Sequence, residues 1–363
     1  MSELDARQSE LIKAMRFPLI VLVLFEHSVG ADLAPMRRSL DGANIFHFTT
    51  ELISRHFCSI AVCWFFVLSG FLFFRNLKEG EAGKGWFVDK WKRRTHTLLI
   101  PHLFWNLFYV LVILAVTWLF RLAGIAASAD MMYSVKQGPL FWFVTGPADY
   151  PLWYLRDLIA ATVLAPALYF VIKKAPRLSL LLLAALYLCT FFVKGTLFQA
   201  VSFFGVGAWM GIHHTNMLGL CRKVRYPAAV LTVALAVLAT CRYGHETHQL
   251  FRLLFFPFGM ITFLNVCDLL IRRPRTKERM IRLSETVFFI YAAHEIYILG
   301  WTKGLFLRLF GAQLASRWAA YFVVPVVVLL ICLALFYLLK KLTPRTLAFA
   351  CGGRVQTDKA CSR

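Results

Sequence analysis

Acidic side chains are scarce in this sequence: 19 Asp and Glu stand against 40 Lys and Arg, and charged residues of both signs make up only 16% of its 363 positions. So little polar surface could not cover a water-soluble globule whose residues are 59% hydrophobic, so the solvent of this chain is lipid. Nor do the nine cysteines, Cys58, Cys63, Cys189, Cys221, Cys241, Cys267, Cys332, Cys351 and Cys361, form a CxxC pair or the spacing of a metal site, which removes zinc modules and dithiol redox motifs. Most of them fall in apolar stretches, where a thiol packs as a small hydrophobe. A glycine-rich phosphate loop, an internal repeat and a low-complexity tract are also missing, so P-loop and solenoid readings have nothing to rest on.

What is present is long apolar sequence, with a mean hydropathy of +0.64. A membrane span needs about 20 predominantly apolar residues. Stretches of that kind lie at 17–35, 50–74, 97–120, 152–172, 178–194, 197–213, 227–241, 250–271, 284–302 and 318–339. They are rich in Leu, Phe and Ala without the alternation of a porin strand, which points to helices. The expected fold is all-α: a polytopic membrane protein of about ten transmembrane helices. The first stretch sits where a signal peptide would, but it holds Glu26 and His27 and has no clear small-residue cleavage site, so it is expected to remain as the first span.

A net charge of +21 would suit nucleic acid until the cations are placed on the map of spans. Most of them then fall on alternate connections, the pattern of the positive-inside rule with both termini cytoplasmic, and no nucleic-acid partner is expected. The division expected is a membrane-embedded domain over 1–342 and a flexible cytoplasmic tail over 343–363.

Ionisable groups inside a span cost ~2.5–3.5 kcal/mol each on insertion scales, so they need a partner, a water-filled cavity or a function. The first span carries Arg16, Glu26 and His27. Arg16 and His27 are eleven residues apart, which at about 100° and 1.5 Å per residue puts them on one helix face roughly 16 Å apart, with Glu26 turned about 100° away. Taken alone, the pair also fits a snorkelling anchor and a hydrogen-bonded packing histidine. Further along, Ser69 and Gly70 in the run Trp64-Phe65-Phe66-Val67-Leu68-Ser69-Gly70-Phe71-Leu72 would let another helix approach closely. Lys92-Arg93-Arg94 precedes Ile100-Pro101 at the start of the third span. The fourth opens Pro151-Leu152-Trp153-Tyr154-Leu155-Arg156-Asp157, an interfacial aromatic pair and an Arg and Asp that can satisfy each other. The ninth carries Ser284-Glu285-Thr286 and then Phe289-Ile290-Tyr291-Ala292-Ala293-His294-Glu295, which sets His294 at a depth comparable with His27, so that two histidines could share one cavity.

Taken in order, these landmarks, with Phe204-Gly205-Val206-Gly207 among them, resemble the acyltransferase-3 family of integral membrane acyltransferases across about residues 14–300. The resemblance implies a bacterial inner-membrane enzyme that transfers an acyl group, most commonly acetyl, with succinyl open, from cytoplasmic acyl-coenzyme A to a carbohydrate hydroxyl. It implies His27 as the essential catalytic residue with Arg16 its partner, and Arg93 and Arg94 near the donor. Ser69, Trp153, Arg156, Tyr291 and His294 are the other expected substrate-binding residues. The expected partners are acyl-coenzyme A as co-substrate, a carbohydrate acceptor and membrane lipid, with no tightly bound cofactor and no metal. Two departures stand out: Thr95-His96-Thr97 follows the basic run where relatives often have a further Arg, and no extracytoplasmic hydrolase-like domain follows the last span, so relay to a second domain would need a separate protein. The competing reading is a transporter or flippase for a glycan or glycolipid, with Arg, His and Glu as a proton relay or substrate path. A structural membrane subunit is the third.

Overall fold

A computed structural model describes residues 3–29, 35–37, 39–78, 80–124, 136–193 and 195–355. Residues 30–34 of the expected first span, 125–135 of the loop expected between the third and fourth, and 356–363 of the expected tail lie outside the described residues. The described residues are mostly helical, with no strand among them.

Four helices are long and apolar enough to cross a membrane: Gly42–Phe74, Lys84–Leu122, His248–Leu270 and Leu314–Leu342. Two bent pairs, Tyr150–Val163 with Ala165–Lys174 (54°) and Met217–Lys223 with Arg225–Cys241 (76°), bring the number to six if each counts as one span. The ten apolar stretches therefore do not become ten long helices. The reason is visible in the first. Arg16–His27 has 12 residues, a rise of about 18 Å against a hydrocarbon core of about 30 Å. Its Leu19, Ile20, Val23 and Leu24 are almost fully buried, so this helix runs through the middle of the bundle rather than along lipid. Short and broken helices are tolerated where protein or a cavity, not lipid, surrounds them. The expected ninth span is broken in the same way: Val287–Ala293 ends, Ile296 and Tyr297 leave helical geometry with Tyr297 at φ 60°, and Leu299–Phe310 resumes. Lipid-facing surface appears instead on peripheral helices, where Leu107, Leu111, Leu114, Trp118 and Leu122 line one exposed stripe of Ile100–Leu122.

A close helix crossing joins Ile60–Phe74 to Leu197–Ile212, and glycine permits it. A Cβ on Gly70 would come within 1.9 Å of the Phe204 carbonyl oxygen, and one on Gly207 within 1.9 Å of the Val67 carbonyl oxygen. The two landmark runs are thus the two sides of one contact. A second brace ties the N-terminal helix Glu3–Ala14 to the bundle: Asp268 accepts from Arg7 (2.6 Å) and from Arg222 (2.6 Å).

The tail expected to be flexible from residue 343 starts as packed structure. Pro344–Ala350 is a helix, Trp105 Nε1 donates to the Ala350 carbonyl (2.9 Å), and Cys351 and Val355 are buried. Gly352, at φ 61°, turns the chain back where a Cβ would meet the His96 carbonyl at 2.8 Å. Apolar burial and a left-handed turn, neither conspicuous in a polar stretch of sequence, hold this segment against the body.

Candidate active site

Two cavities meet along the Arg16–His27 helix. The larger, of ≈ 720 Å³, is lined by Arg16, Ser69, Arg94, Arg282, Glu285 and Arg354, with Phe65, Tyr154 and Tyr291 on its far wall. The smaller, of ≈ 340 Å³, holds His27, Glu295, Glu26, Arg55 and Trp153, and the same Phe65, Tyr154 and Tyr291 bound it. The eleven-residue spacing therefore puts Arg16 and His27 in adjoining chambers that share a wall of three aromatic side chains.

Besides Arg282, the basic chamber gathers three guanidinium groups from distant parts of the chain. Arg16 opens the central helix, and Arg94 ends the basic run of Lys84–Arg94. Arg354 arrives from the returning C-terminal segment. One residue of helical rotation separates Arg94, whose guanidinium lies over the Phe73 ring (5.6 Å) and donates to the Ser69 carbonyl (3.4 Å), from Arg93, which is exposed and lines neither chamber. Arg354 lies over the Phe288 ring (4.3 Å). Surrounding protein and then the neighbouring Arg94 cation lower its pKa to about 10. A cation held under that strain is stabilised when an anion arrives. Glu285, also in this wall, is held by Lys340 (2.9 Å), so the acidic group there is already engaged.

In the smaller chamber, His27 Nδ1 is 3.0 Å from Glu295 Oε1. An ionised carboxylate only accepts hydrogen bonds, so the proton of a neutral His27 sits on Nδ1 and the Nε2 lone pair is left for other work. His294 meets His27 edge-on, ring centroids 5.1 Å apart, and its Nδ1 donates to the carbonyls of Ile290 (3.1 Å) and Tyr291 (2.9 Å). Its Nε2 is buried without a partner among the described residues. The break in the helix sets this arrangement: leaving helical geometry just after Glu295 lets consecutive His294 and Glu295 both face His27.

His27, His294 and Glu295 offer three ligand atoms within 4.8 Å of one another, a set able to hold a divalent ion. The His27 Nδ1 to Glu295 Oε1 hydrogen bond joins two residues of this set.

Of the expected site residues, Arg16, Ser69 and Arg94 line the basic chamber, His27 and Trp153 the smaller one, and Tyr291 both, its hydroxyl donating to the Pro151 carbonyl (2.7 Å). Arg156 is drawn elsewhere, into a knot with the Thr145 carbonyl, Asp157 (2.8 Å) and Thr196. Two residues given no role in the sequence reading belong to the site. Glu295 carried a usable signal, an acid beside a histidine inside a span. Arg354 carried none, because its position depends on the chain turning back at Gly352.

A family model described as an acyltransferase domain matches residues 10–337. Succinoglycan biosynthesis protein ExoH of Rhizobium meliloti (strain 1021) is 26% identical over 379 aligned residues, covering 99% of this chain and 96% of the relative. No solved structure matches the chain.

Proposed function

This chain belongs to the acyltransferase-3 family, and from that premise we propose that it transfers a short acyl group, such as acetyl, from acyl-coenzyme A in the cytoplasm to a hydroxyl of a surface or lipid-linked carbohydrate. The observation that carries this reading is the His27 to Glu295 pair in a chamber that adjoins a second chamber lined by Arg16, Arg94 and Arg354. The relative's part in succinoglycan biosynthesis favours a carbohydrate acceptor.

In this mechanism the diphosphate and phosphate of coenzyme A lie against the three arginines, as charge-assisted pairs. The thioester arm passes the wall of Phe65, Tyr154 and Tyr291 to reach His27. His27 Nε2 takes the proton of the sugar hydroxyl while that oxygen attacks the thioester carbonyl, and Glu295 stabilises the imidazolium that forms. Collapse of the tetrahedral intermediate breaks the carbon–sulfur bond, and His27 returns the proton to the departing thiolate. Ester and free coenzyme A leave, and the enzyme is regenerated. General-base help of this kind is worth about 10²–10⁴-fold.

The test uses purified full-length protein, acyl-coenzyme A labelled in its acyl group and a surface glycan fraction. Wild type moves the label to glycan, and His27→Ala, inserted and folded, does not. Equal labelling by the two proteins removes His27 from the chemistry, and a wild type that binds no donor favours the transporter reading.

A further inference from the structure

A third cavity, of ≈ 660 Å³, adjoins the His27 chamber and shares Glu26, Arg55, Tyr150 and Trp153 with it. Arg55 lines both, and Arg252 lines the larger. Neither guanidinium is within 4.0 Å of a described carboxylate oxygen, although both are partly buried. Arg252 is stacked over the Phe256 ring (5.2 Å), and its Nε is buried with no partner among the described residues. The acid in the shared wall is Glu26, which accepts from the Ser59 hydroxyl (2.8 Å), and Glu295 is engaged by His27. In the larger cavity two positive charges, Arg55 and Arg252, thus face one negative, Glu26. An unpaired guanidinium in such a space is costly to keep and becomes favourable when an anion docks against it. Gln199, Gln249 and Thr190 add uncharged hydrogen-bonding groups of the kind that sugar hydroxyls use, and Trp153 adds an aromatic face.

We propose that this double cavity recognises a carboxylate carried by one of the two substrates, through the guanidinium groups of Arg55 and Arg252, beside His27. The proposal rests on the acyl-transfer reading and names its substrate class. The carboxylate has two sources: an acidic sugar in the acceptor, or the free end of a dicarboxylic acyl chain such as succinyl. Arg55, which shares the chamber with His27, is placed for the acyl chain. Arg252, which lines only the larger cavity, is placed for the glycan.

The experiment measures kcat/KM of the full-length protein in lipid vesicles, with acetyl- or succinyl-coenzyme A as donor and a neutral or a glucuronate-containing oligosaccharide as acceptor. Wild type prefers at least one carboxylate-bearing substrate by tenfold or more. That ratio drops at least tenfold in Arg55→Gln or Arg252→Gln and is partly restored in Arg252→Lys. Loss confined to the donor ratio assigns the carboxylate to the acyl chain, and loss confined to the acceptor ratio assigns it to the glycan. A wild type that does not discriminate, or a preference unchanged in folded glutamine variants, overturns the proposal. Should those variants fail to fold, competition decides: glucuronate inhibits wild-type transfer at least tenfold more strongly than glucose, and equal inhibition overturns the proposal. If no donor and acceptor pair reacts, the acyl-transfer reading fails. Carboxylate recognition is then judged by heat stability, which glucuronate raises and glucose does not; equal effects overturn it.

Discussion

A neutral imidazole works as a base only when its proton sits on the nitrogen turned away from the reaction, and Glu295 fixes that for His27 at 3.0 Å. In Glu295→Gln the amide can donate to Nδ1 and favour the wrong tautomer. We expect kcat to fall by about 10²-fold or more, as for loss of general-base catalysis, with the donor Kd within about twofold of wild type. Steady-state kinetics with calorimetric titration of acyl-coenzyme A checks both, and an unchanged kcat removes Glu295 from the mechanism. For Arg354→Ala, loss of a charge-assisted contact worth about 1.5–3 kcal/mol weakens donor binding by roughly ten- to a hundredfold. Arg93→Ala, exposed and away from both chambers, leaves it near wild type. Equal effects of the two substitutions would contradict a donor chamber built around Arg354. At this scale the sequence already marked Arg16, His27 and His294, since an ionisable group in an apolar stretch is expensive wherever it stands. Arg93 and Arg94 are adjacent in sequence and alike in chemistry, and only the helix's rotation against its neighbours separates them.

Ser69 and Gly70, neighbours in one landmark run, do different things: Gly70 admits the Phe204 carbonyl, while Ser69 lines the basic chamber. Small residues in the run suggested a close helix crossing, but only the fold shows which partner crosses there and that Gly207 answers Gly70 from the other side. Gly70→Ala and Gly207→Ala each push a methyl group into backbone, which does not yield as a side chain does. Each is expected to cost about 1–3 kcal/mol or more and to lower the unfolding temperature in detergent. Gly205→Ala meets only the Leu183 side chain, at 2.4 Å, and is the milder change. A Gly207→Ala protein as heat-stable as Gly205→Ala would mean that the crossing is looser than described. The break after Glu295 was not legible beforehand, because residues 284–302 read as one apolar run with no Pro or Gly between His294 and Ile298 to announce a bend.

Over the whole molecule, composition pointed to lipid as the solvent, the apolar stretches without alternation pointed to helices, and the six landmarks in order pointed to its family. The number of spans was less legible, because hydropathy counts apolar residues without distinguishing those that face lipid from those, like Leu19 and Leu24, that pack inside the bundle. The packed C-terminal segment escaped notice for a related reason: its burial comes from contacts with Trp105 and His96, far away in sequence. The arrangement that emerges is a basic chamber and a histidine chamber joined at Phe65, Tyr154 and Tyr291, along a helix whose two ends carry Arg16 and His27. The function we propose requires this arrangement to pass an acyl group from one side of a membrane to an acceptor on the other. The most direct measurement seals the carbohydrate acceptor inside vesicles that contain the full-length protein and supplies labelled acyl-coenzyme A only outside. The account predicts label on the enclosed carbohydrate with wild type and none with His27→Ala. Label that appears only when donor and acceptor share one side of the membrane would contradict it.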